Sequence, residues 1–267
     1  MRILAIGDPH GDLNSLNKIP LKNIDLILLT GDLGKADFAR KISFENQKRK
    51  QEGLPKLKET KEQKKAIYNE IHYSTINILK YLSKHAPVYT IQGNVGIPTR
   101  ARVTKDEQKY GIKFPCAKEK INSMTQVHLV KNRLRIVNGI RIGFLEYFTD
   151  VCWVKEFKPK DYQKSMKKAK KETEKARKVL KNFGKVDILV CHQPPYGILD
   201  KVTNPAAPKF FQGKHAGSKV ILNYITQKQP KYVFCGHIHE SQGMKKIGKT
   251  KIFNLGVAGY KIIDLEV

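Results

Sequence analysis

The chain has 267 residues, enough for one large α/β domain or two small ones with a sizeable apolar core. Its 51 lysines and arginines against 24 acidic residues give a net charge of +27, which favours anionic partners such as nucleic acid, nucleotides or acidic membrane surfaces. The four cysteines form no Cys-x-x-Cys pair, which argues against a zinc ribbon, and no apolar run approaches the roughly 20 residues of a membrane span.

The chain begins with a short apolar run and not with the longer apolar region of a signal peptide, so we expect a soluble protein of the cytoplasm. Arg2–Gly7 predicts a first strand, and Leu13–Ile19 predicts a short helix. Ile24–Thr30 predicts a second strand, which is apolar on both faces, as is typical of a parallel sheet.

Two segments hold much of the positive charge. A charged helical insertion is predicted at about residues 35–85, divided near Gly53 and Pro55, and a basic helix is predicted at about residues 157–182. We expect both to belong to a single domain that spans residues 1–267. The Lys-rich runs Lys35–Lys65 and Lys155–Lys185 are compatible with a solvated surface and also with binding of nucleic acid. Because aromatic residues are few there, the stacking surface of a single-strand binder is missing.

The remaining apolar runs predict further strands. They are Val88–Ile91, Val127–Val130, Leu134–Val137, Ile140–Phe144, Val186–Val190, Tyr232–Cys235, Lys251–Leu255 and Tyr260–Leu265. The three runs between residues 127 and 144 are predicted to be antiparallel, with a hairpin turn at Asn138-Gly139. A helix is predicted near Ser218–Gln227, and residues 97–125 are interpreted as a basic loop. The order of elements predicts an α/β sandwich, with a mixed pair of sheets flanked by helices.

Seven residues of metal-ligand type lie just past the C-terminal ends of apolar runs, at the edge of an α/β sheet where binding sites collect. They are Asp8, His10, Asp32, Asn94, His192, His237 and His239. Two carboxylates, one amide and four imidazoles suit manganese, iron, zinc or cobalt better than calcium or magnesium alone. Each motif alone is also compatible with a turn, a helix cap or a buried histidine, so the prediction depends on their joint occurrence.

Seven ligands are too many for one tetrahedral site, but they suit two ions bridged by one carboxylate, about 3.5–4 Å apart. Two such cations would bind two oxygens of a phosphoryl group and neutralise its charge. They would also lower the pKa of a bridging water, so that hydroxide attacks in line. A side-chain nucleophile is then not required, and the sequence contains no Gly-x-Ser-x-Gly signature.

Five short motifs occur in the order in which a known enzyme family carries them. They are Asp8-x-His10, Gly31-Asp32, Gly93-Asn94, His192 and Gly236-His237-x-His239. With these motifs, the sequence from residue 3 to about residue 265 resembles the calcineurin-like metallophosphoesterases. The resemblance implies a four-layer αββα sandwich of two mixed sheets flanked by helices, with a dinuclear metal centre at the strand ends.

The resemblance also implies how the ligands divide between two metals. The first metal would be held by Asp8, His10, Asp32 and His239, and the second by Asp32, Asn94, His192 and His237. Asp32 would therefore bridge the two ions. A further set of segments resembles the cyclic-nucleotide-phosphodiesterase-like branch of the superfamily. They are His192 through Tyr196-Gly197, His215-Ala216-Gly217-Ser218 and His237-Ile238-His239-Glu240.

One position departs from the family pattern. Many members carry a histidine after Gly-Asn that assists the leaving group, whereas this chain has Val95, which can neither donate nor accept a proton. His215 is the candidate substitute acid, and the alternative is a plain exposed histidine. With Asp32 and Asn94, it completes the set of candidate catalytic residues.

The sequence therefore predicts a metal-dependent phosphoesterase that acts on a phosphodiester in preference to a monoester, through a metal-bridging hydroxide. Two divalent ions are expected, from manganese, iron, nickel, cobalt or zinc, with manganese favoured. The alternative is a catalytically weak scaffold of the same family that binds nucleic acid or a protein partner through its basic helices. The sequence leaves the oligomeric state open.

Overall fold

A computed structural model shows the fold and describes residues 1–205, 207 and 209–266. The strands of this part of the chain are β1 (Arg2–Ile6), β2 (Leu26–Leu29), β3 (Val88–Thr90), β4 (Val127–Leu129), β5 (Arg133–Val137), β6 (Ile140–Leu145), β7 (Ile188–Cys191), β8 (Tyr232–Cys235), β9 (Gly243–Ile247), β10 (Thr250–Asn254) and β11 (Tyr260–Asp264). The α-helices are α1 (Leu13–Leu16), α2 (Asp37–Glu52), α3 (Lys61–Leu82), α4 (Arg100–Tyr110), α5 (Ala117–Asn122), α6 (Val151–Phe157), α7 (Tyr162–Phe183) and α8 (Lys219–Lys228).

The strands form two mixed sheets. The first has the order β11-β1-β2-β3-β4, in which β1 to β4 run parallel and β11 is antiparallel. The second has the order β5-β6-β7-β8-β10-β9, with parallel central strands and antiparallel strands β5 and β9 at its edges. The carboxyl ends of β1, β2 and β3 therefore share one edge, as do those of β7 and β8.

Alternating side chains of each strand divide the core into layers. In β2, Ile27 and Leu29 pack toward α1 and α3, whereas Leu26 and Leu28 join a cluster between the two sheets. In the second sheet, side chains of β7 and β8 alternate between this central cluster and the apolar faces of α7 and α8. Helix, sheet, sheet and helix follow one another, and the predicted four-layer αββα sandwich is confirmed.

The prediction of three antiparallel strands between residues 127 and 144 is wrong in its first member. β5 and β6 form the expected hairpin around Asn138-Gly139, but β4 pairs in parallel with β3 of the other sheet. Val88 lies opposite Val127 in this register. β4 follows a helix, and a strand that returns from a helix pairs in parallel through a crossover connection. The prediction of a hairpin relied on closeness in sequence alone.

The interpretation of residues 97–125 as a loop is also wrong, since they contain α4 and α5. The hydroxyl of Thr99 accepts a hydrogen bond from Arg102 N and caps α4. Val103 packs with Tyr68 and Phe114 in a small buried cluster. A short charged helix with so few apolar residues carries too weak a periodic pattern to be found from sequence.

The charged segments are helical with sharper breaks than expected. Gly53 ends α2 in the left-handed conformation with φ of 77°. The helix predicted from residue 157 begins at Tyr162, because Phe157 ends the separate helix α6 and Pro159 lies between the two. Among the described helices, none combines the length and the apolar character needed to cross a membrane.

Phe234 provides a test of the central layer. It is fully buried between the sheets, so Phe234→Ala should lower the free energy of unfolding by about 3–5 kcal/mol. Phe38→Ala is the matched control, because that ring is 53% exposed on α2 and its loss should cost less than about 0.5 kcal/mol. Equal losses in urea denaturation would contradict the arrangement of layers.

Candidate metal centre

All seven predicted ligands lie just past the carboxyl ends of parallel strands, six of them in loops and His239 at the start of a 3-10 turn. Asp8 and His10 follow β1, Asp32 follows β2 and Asn94 follows β3. The second sheet contributes the three remaining residues, with His192 after β7 and His237 and His239 after β8.

Three of these residues adopt the left-handed backbone region that favours glycine. The φ angles are 45° at His10, 38° at Asp32 and 67° at His237. Each such residue costs of order 1–3 kcal/mol, a strain that clusters at functional sites. The sharp turns direct these side chains back over the sheet edge.

A first group of donor atoms surrounds His239. Its Nε2 lies 3.3 Å from Asp8 Oδ2 and 3.3 Å from His10 Nε2. His10 Nε2 also lies 3.8 Å from Asp32 Oδ2. Two imidazole nitrogens facing one another beside two carboxylates are suited to share a cation.

A second group surrounds Asn94. Its Oδ1 lies 2.8 Å from both His192 Nε2 and His237 Nδ1. His192 Nε2 in turn lies 3.6 Å from Asp32 Oδ2. The structure therefore brings all seven predicted ligands together, and their division between two metals stays a prediction.

Asp32 faces both groups through a single oxygen atom. Its Oδ2 points to His10 and His192, while its Oδ1 accepts a hydrogen bond from the Val95 N–H at 2.7 Å. Asp8 also touches both groups, but with different oxygens, and both of these accept other hydrogen bonds. Oδ2 of Asp32 thus faces donor atoms of both groups.

Thr30 is a supporting residue that the sequence interpretation missed. Its hydroxyl donates to Asp8 Oδ1 at 2.6 Å, and its carbonyl accepts from His192 Nδ1 at 3.0 Å. The second contact directs Nε2 of His192 toward Asn94. Such outer hydrogen bonds orient metal ligands and fix the imidazole tautomer. The only sequence signal was its position directly before Gly31-Asp32.

Burial and mutual attraction set the charges of the site. Burial alone would lower the pKa of His192, but attraction to Asp32 and Asp8 outweighs it and raises this pKa to about 9. A cation among these ligands would therefore replace a proton on His192. Burial, aided by His192, lowers the pKa of His237 to about 3, so this imidazole is neutral, the form that binds metals.

The loops approach so closely that glycine is required at two positions. A Cβ on Gly93 would lie 2.1 Å from Asp32 Oδ1, and one on Gly236 would lie 2.4 Å from Asp8 Oδ1. The glycines of the Gly-Asn and Gly-His motifs thus make room for the carboxylates. Carboxylate, amide and imidazole donors converging in two groups fit two divalent ions of the manganese, iron or zinc type.

Val95 has a structural role at the site. Its backbone orients Asp32, and its side chain packs against a small cluster that includes Ile67 and Ile71 of α3. An apolar side chain at this position therefore joins the ligand loop to the charged helical segment.

His215 contacts other residues than the seven ligands. Its Nδ1 lies 2.8 Å from Asp200 Oδ1, and its ring centroid lies 5.2 Å from that of Tyr196. Its neighbour Ala216 lines a pocket that also contains Asn94 and His237. The proposed role of His215 as an acid stays a prediction.

Tyr147 is a second residue that sequence interpretation missed. Its ring centroid lies 5.8 Å from that of His192 and 5.3 Å from that of His237. Burial raises the pKa of this phenol to about 12, so the hydroxyl keeps its proton. Tyr147 lies two residues past β6, so its contact with the ligands could have been predicted from a pairing of β6 with β7.

The family profile of the calcineurin-like phosphoesterases matches residues 1–241. The fold and the site together define a class of protein, the αββα sandwiches that carry two groups of ligands at the ends of their strands. The chain belongs to the calcineurin-like phosphoesterase family, as the sequence motifs predicted.

Two curated relatives are similar over part of their length. A protein of Methanocaldococcus jannaschii is 33% identical over 90 residues, which is 33% of this chain and 38% of that protein. The human metallophosphoesterase domain-containing protein 1 is 40% identical over 73 residues, 27% of this chain and 20% of that protein. The matched segments thus span well under two thirds of these relatives.

One solved structure shows the same fold along most of both chains. The phosphopantetheinyl hydrolase of Mycobacterium tuberculosis superimposes with a TM-score of 0.52 at 14% identity, covering 96% of this chain and 89% of that one. At this identity the likeness concerns the fold alone.

Thr30 provides a test of the supporting hydrogen bonds. Thr30→Val removes the donor to Asp8, and we expect Mn²⁺ affinity to fall by about 10–100-fold in calorimetric titration. Thr250→Val is the matched control, because Thr250 is equally buried and its hydroxyl has no partner among the described residues. If both variants bound Mn²⁺ as the wild type does, Thr30 would have no part in the site.

The division of the ligands predicts different results for two double variants. His192→Ala with His237→Ala changes only the second group and should leave about one ion per chain by metal analysis. His237→Ala with His239→Ala changes both groups and should leave none. Equal metal content in the two double variants would contradict this division.

Proposed function

We propose that the protein is a metal-dependent phosphoesterase that hydrolyses phosphodiesters in preference to monoesters. The observation that carries the proposal is the position of Asp32 Oδ2, which faces both groups of donor atoms. Membership of the calcineurin-like phosphoesterase family supports the reaction class.

We assign the first ion to Asp8, His10, Asp32 and His239, and the second to Asp32, Asn94, His192 and His237. When bound, two such ions neutralise phosphoryl charge and supply a water of lowered pKa, and manganese is the favoured metal. The chain's own residues orient these ligands. Val95 N–H and Thr30 hold the two carboxylates, and Tyr147 shields His192 and His237 on one side.

The space beside the ligands supports a diester as the substrate. A pocket of about 840 Å³ lies beside Asn94 and His237, large enough to accept a second esterified group. Val95 leaves the usual position of the leaving-group histidine without a proton donor, so an ester with a leaving group of high pKa needs another acid. We propose His215, oriented by the buried carboxylate of Asp200, as the acid in its place.

Asp32 provides the direct test of this function. The wild type loaded with Mn²⁺ should cleave bis-p-nitrophenyl phosphate, and Asp32→Ala should lower kcat/KM by at least about a hundredfold, because both ions lose a ligand. Asp12→Asn is the control, since Asp12 lies in the same region but caps α1. Absence of turnover in the wild type with Mn²⁺, Ni²⁺, Co²⁺, Zn²⁺ or Fe²⁺ would refute the proposal.

A specific observation favours nucleic acid as a second candidate partner. α7 presents an exposed face that is rich in lysines, among them Lys167, Lys168, Lys170 and Lys171. Such a face neutralises phosphates and makes binding depend on salt. The protein would then be a nuclease or a weakly catalytic binding scaffold.

Substitution of these four lysines by glutamine tests this alternative. The variant should bind a DNA duplex more weakly, and the slope of log affinity against log salt should become shallower by up to about 0.9 per lost phosphate contact. Hydrolysis of bis-p-nitrophenyl phosphate should not change. Unaltered affinity and slope would exclude α7 as a nucleic-acid surface.

A further inference from the structure

An apolar groove of about 1060 Å³ lies between α2, α3 and the 3-10 turn at Lys209–Phe211. Its apolar lining consists of Phe38, Ile42 and Phe44 of α2, Ala66 of α3, Leu57 in the loop between these helices, and Phe210. Three of these side chains are strongly exposed, Phe38 by 53%, Phe44 by 41% and Leu57 by 43%. Exposed apolar side chains gathered at one groove mark a binding surface.

Hydrogen bonds hold the walls of the groove in place. Phe38 N donates to Glu70 Oε2 at 3.1 Å, which joins the start of α2 to α3. Leu57 N donates to Asn46 Oδ1 at 2.7 Å, which fixes the loop after α2 against that helix. The groove is therefore formed before a ligand binds, as is usual for sites that bind small molecules.

The interior of the groove is apolar, and its charges lie outside. All charged side chains among its described residues are exposed, namely Lys41, Glu45, Lys48, Glu62 and Lys209. Such side chains keep their charged ends in water while their methylene stems cover apolar surface. The partly buried residues of the lining are Ile42, Gln47, Ala66 and Phe210. So apolar an interior suits a hydrocarbon chain better than a polypeptide, whose buried N–H and C=O groups need hydrogen-bond partners.

The groove is continuous with the pocket beside the ligand groups. Phe44, Gln47 and Phe210 line both spaces, and the wall of the pocket contains Asn94 and His237. A ligand that enters the pocket with its reacting group can therefore extend into the groove.

Aromatic rings mark the path between the two spaces. The ring centroid of Phe210 lies 4.3 Å from that of Phe211, which lies 4.8 Å from that of Phe157. Phe157 packs with Ile238, the residue between the two histidine ligands that follow β8. An apolar surface thus leads from the ligand loop to the groove.

We propose that the groove binds the long alkyl or acyl chain of a lipid phosphodiester whose phosphate reaches the ligand groups. The inference rests on the proposed phosphoesterase function, since it names the substrate class of the same site. A ligand that fills both spaces needs a phosphate at one end and an apolar chain at the other. A partner protein or a second copy of this chain has no need of the connection to the ligand groups.

Alkylphosphonates test the inference without turnover, because they contain no phosphate ester. On the Mn²⁺-loaded protein, octylphosphonate should bind about tenfold or more tightly than butylphosphonate in calorimetric titration below the concentration at which micelles form. The reason is that each fully buried methylene adds up to about fourfold in affinity. Equal affinities for the two phosphonates would overturn the inference.

Two leucines of one loop provide a matched pair of variants. Leu57→Ser should lower the preference for octylphosphonate by at least about threefold, because the chain loses part of the surface that it packs against. Leu54→Ser should leave the preference unchanged, since Leu54 is 48% exposed in the same loop but does not line the groove. Both side chains are exposed, so neither change should disturb folding. Equal effects of the two variants would place the alkyl chain elsewhere.

Sedimentation distinguishes other occupants and the source of the lipid. Self-association of the wild type that Leu57→Ser abolishes would overturn the inference, because the groove would then hold a second copy of the chain. Sedimentation with phosphatidylglycerol vesicles that is weakened by Leu57→Ser but not by Leu54→Ser indicates a lipid taken from a bilayer. A preference for octylphosphonate without such binding to vesicles indicates a lipid taken from solution.

The two proposals fail in different ways. Binding that depends on chain length, without hydrolysis of bis-p-nitrophenyl phosphate, would refute the phosphoesterase function and leave the apolar-chain site standing. Hydrolysis of that ester, with equal affinities for octylphosphonate and butylphosphonate, would refute the lipid substrate and leave the phosphoesterase function standing.

Discussion

The arrangement of the site depends on one carboxylate held in one orientation. The Val95 N–H binds Oδ1 of Asp32 and leaves Oδ2 directed at His10 and His192. A buried carboxylate is stable only when positive charge lies nearby, on a histidine or on a metal. This need explains why ligands from both sheets converge on the same point.

The convergence follows from the topology. Parallel strands end at one edge of a sheet, and stacking two mixed sheets brings two such edges together. The backbones then come so close that Gly93 and Gly236 cannot carry a Cβ without meeting a carboxylate. The glycines in the ligand motifs are therefore required by the close packing of the loops, just as the ligands are required by metal chemistry.

The sequence predicted the parts of the molecule that depend on strong, local patterns. Continuous apolar runs indicated the central strands, and the residues that follow them indicated the ligands. The partner of β4, the helices α4 and α5, and the contribution of Tyr147 could not be predicted, because each depends on which segments lie side by side. The same holds for Thr30, whose hydroxyl and carbonyl serve ligands 22 and 162 residues away.

The structure also shows where the positive charge of the chain lies, which the sequence alone left open. The two lysine-rich segments meet at a pocket beside the ligands, where Lys50 forms an ion pair with Asp161. Another part lies on the outer face of α7, away from the apolar face that packs on the second sheet. An anionic substrate would be attracted to both.

The position of Asp32 between two ions can be measured by anomalous diffraction from crystals soaked with Mn²⁺. Two manganese peaks are expected about 3.5–4 Å apart, both bound to Oδ2 of Asp32 and divided between the histidine pairs His10/His239 and His192/His237. A single peak, or two peaks that share no oxygen of Asp32, would contradict this arrangement of ligands.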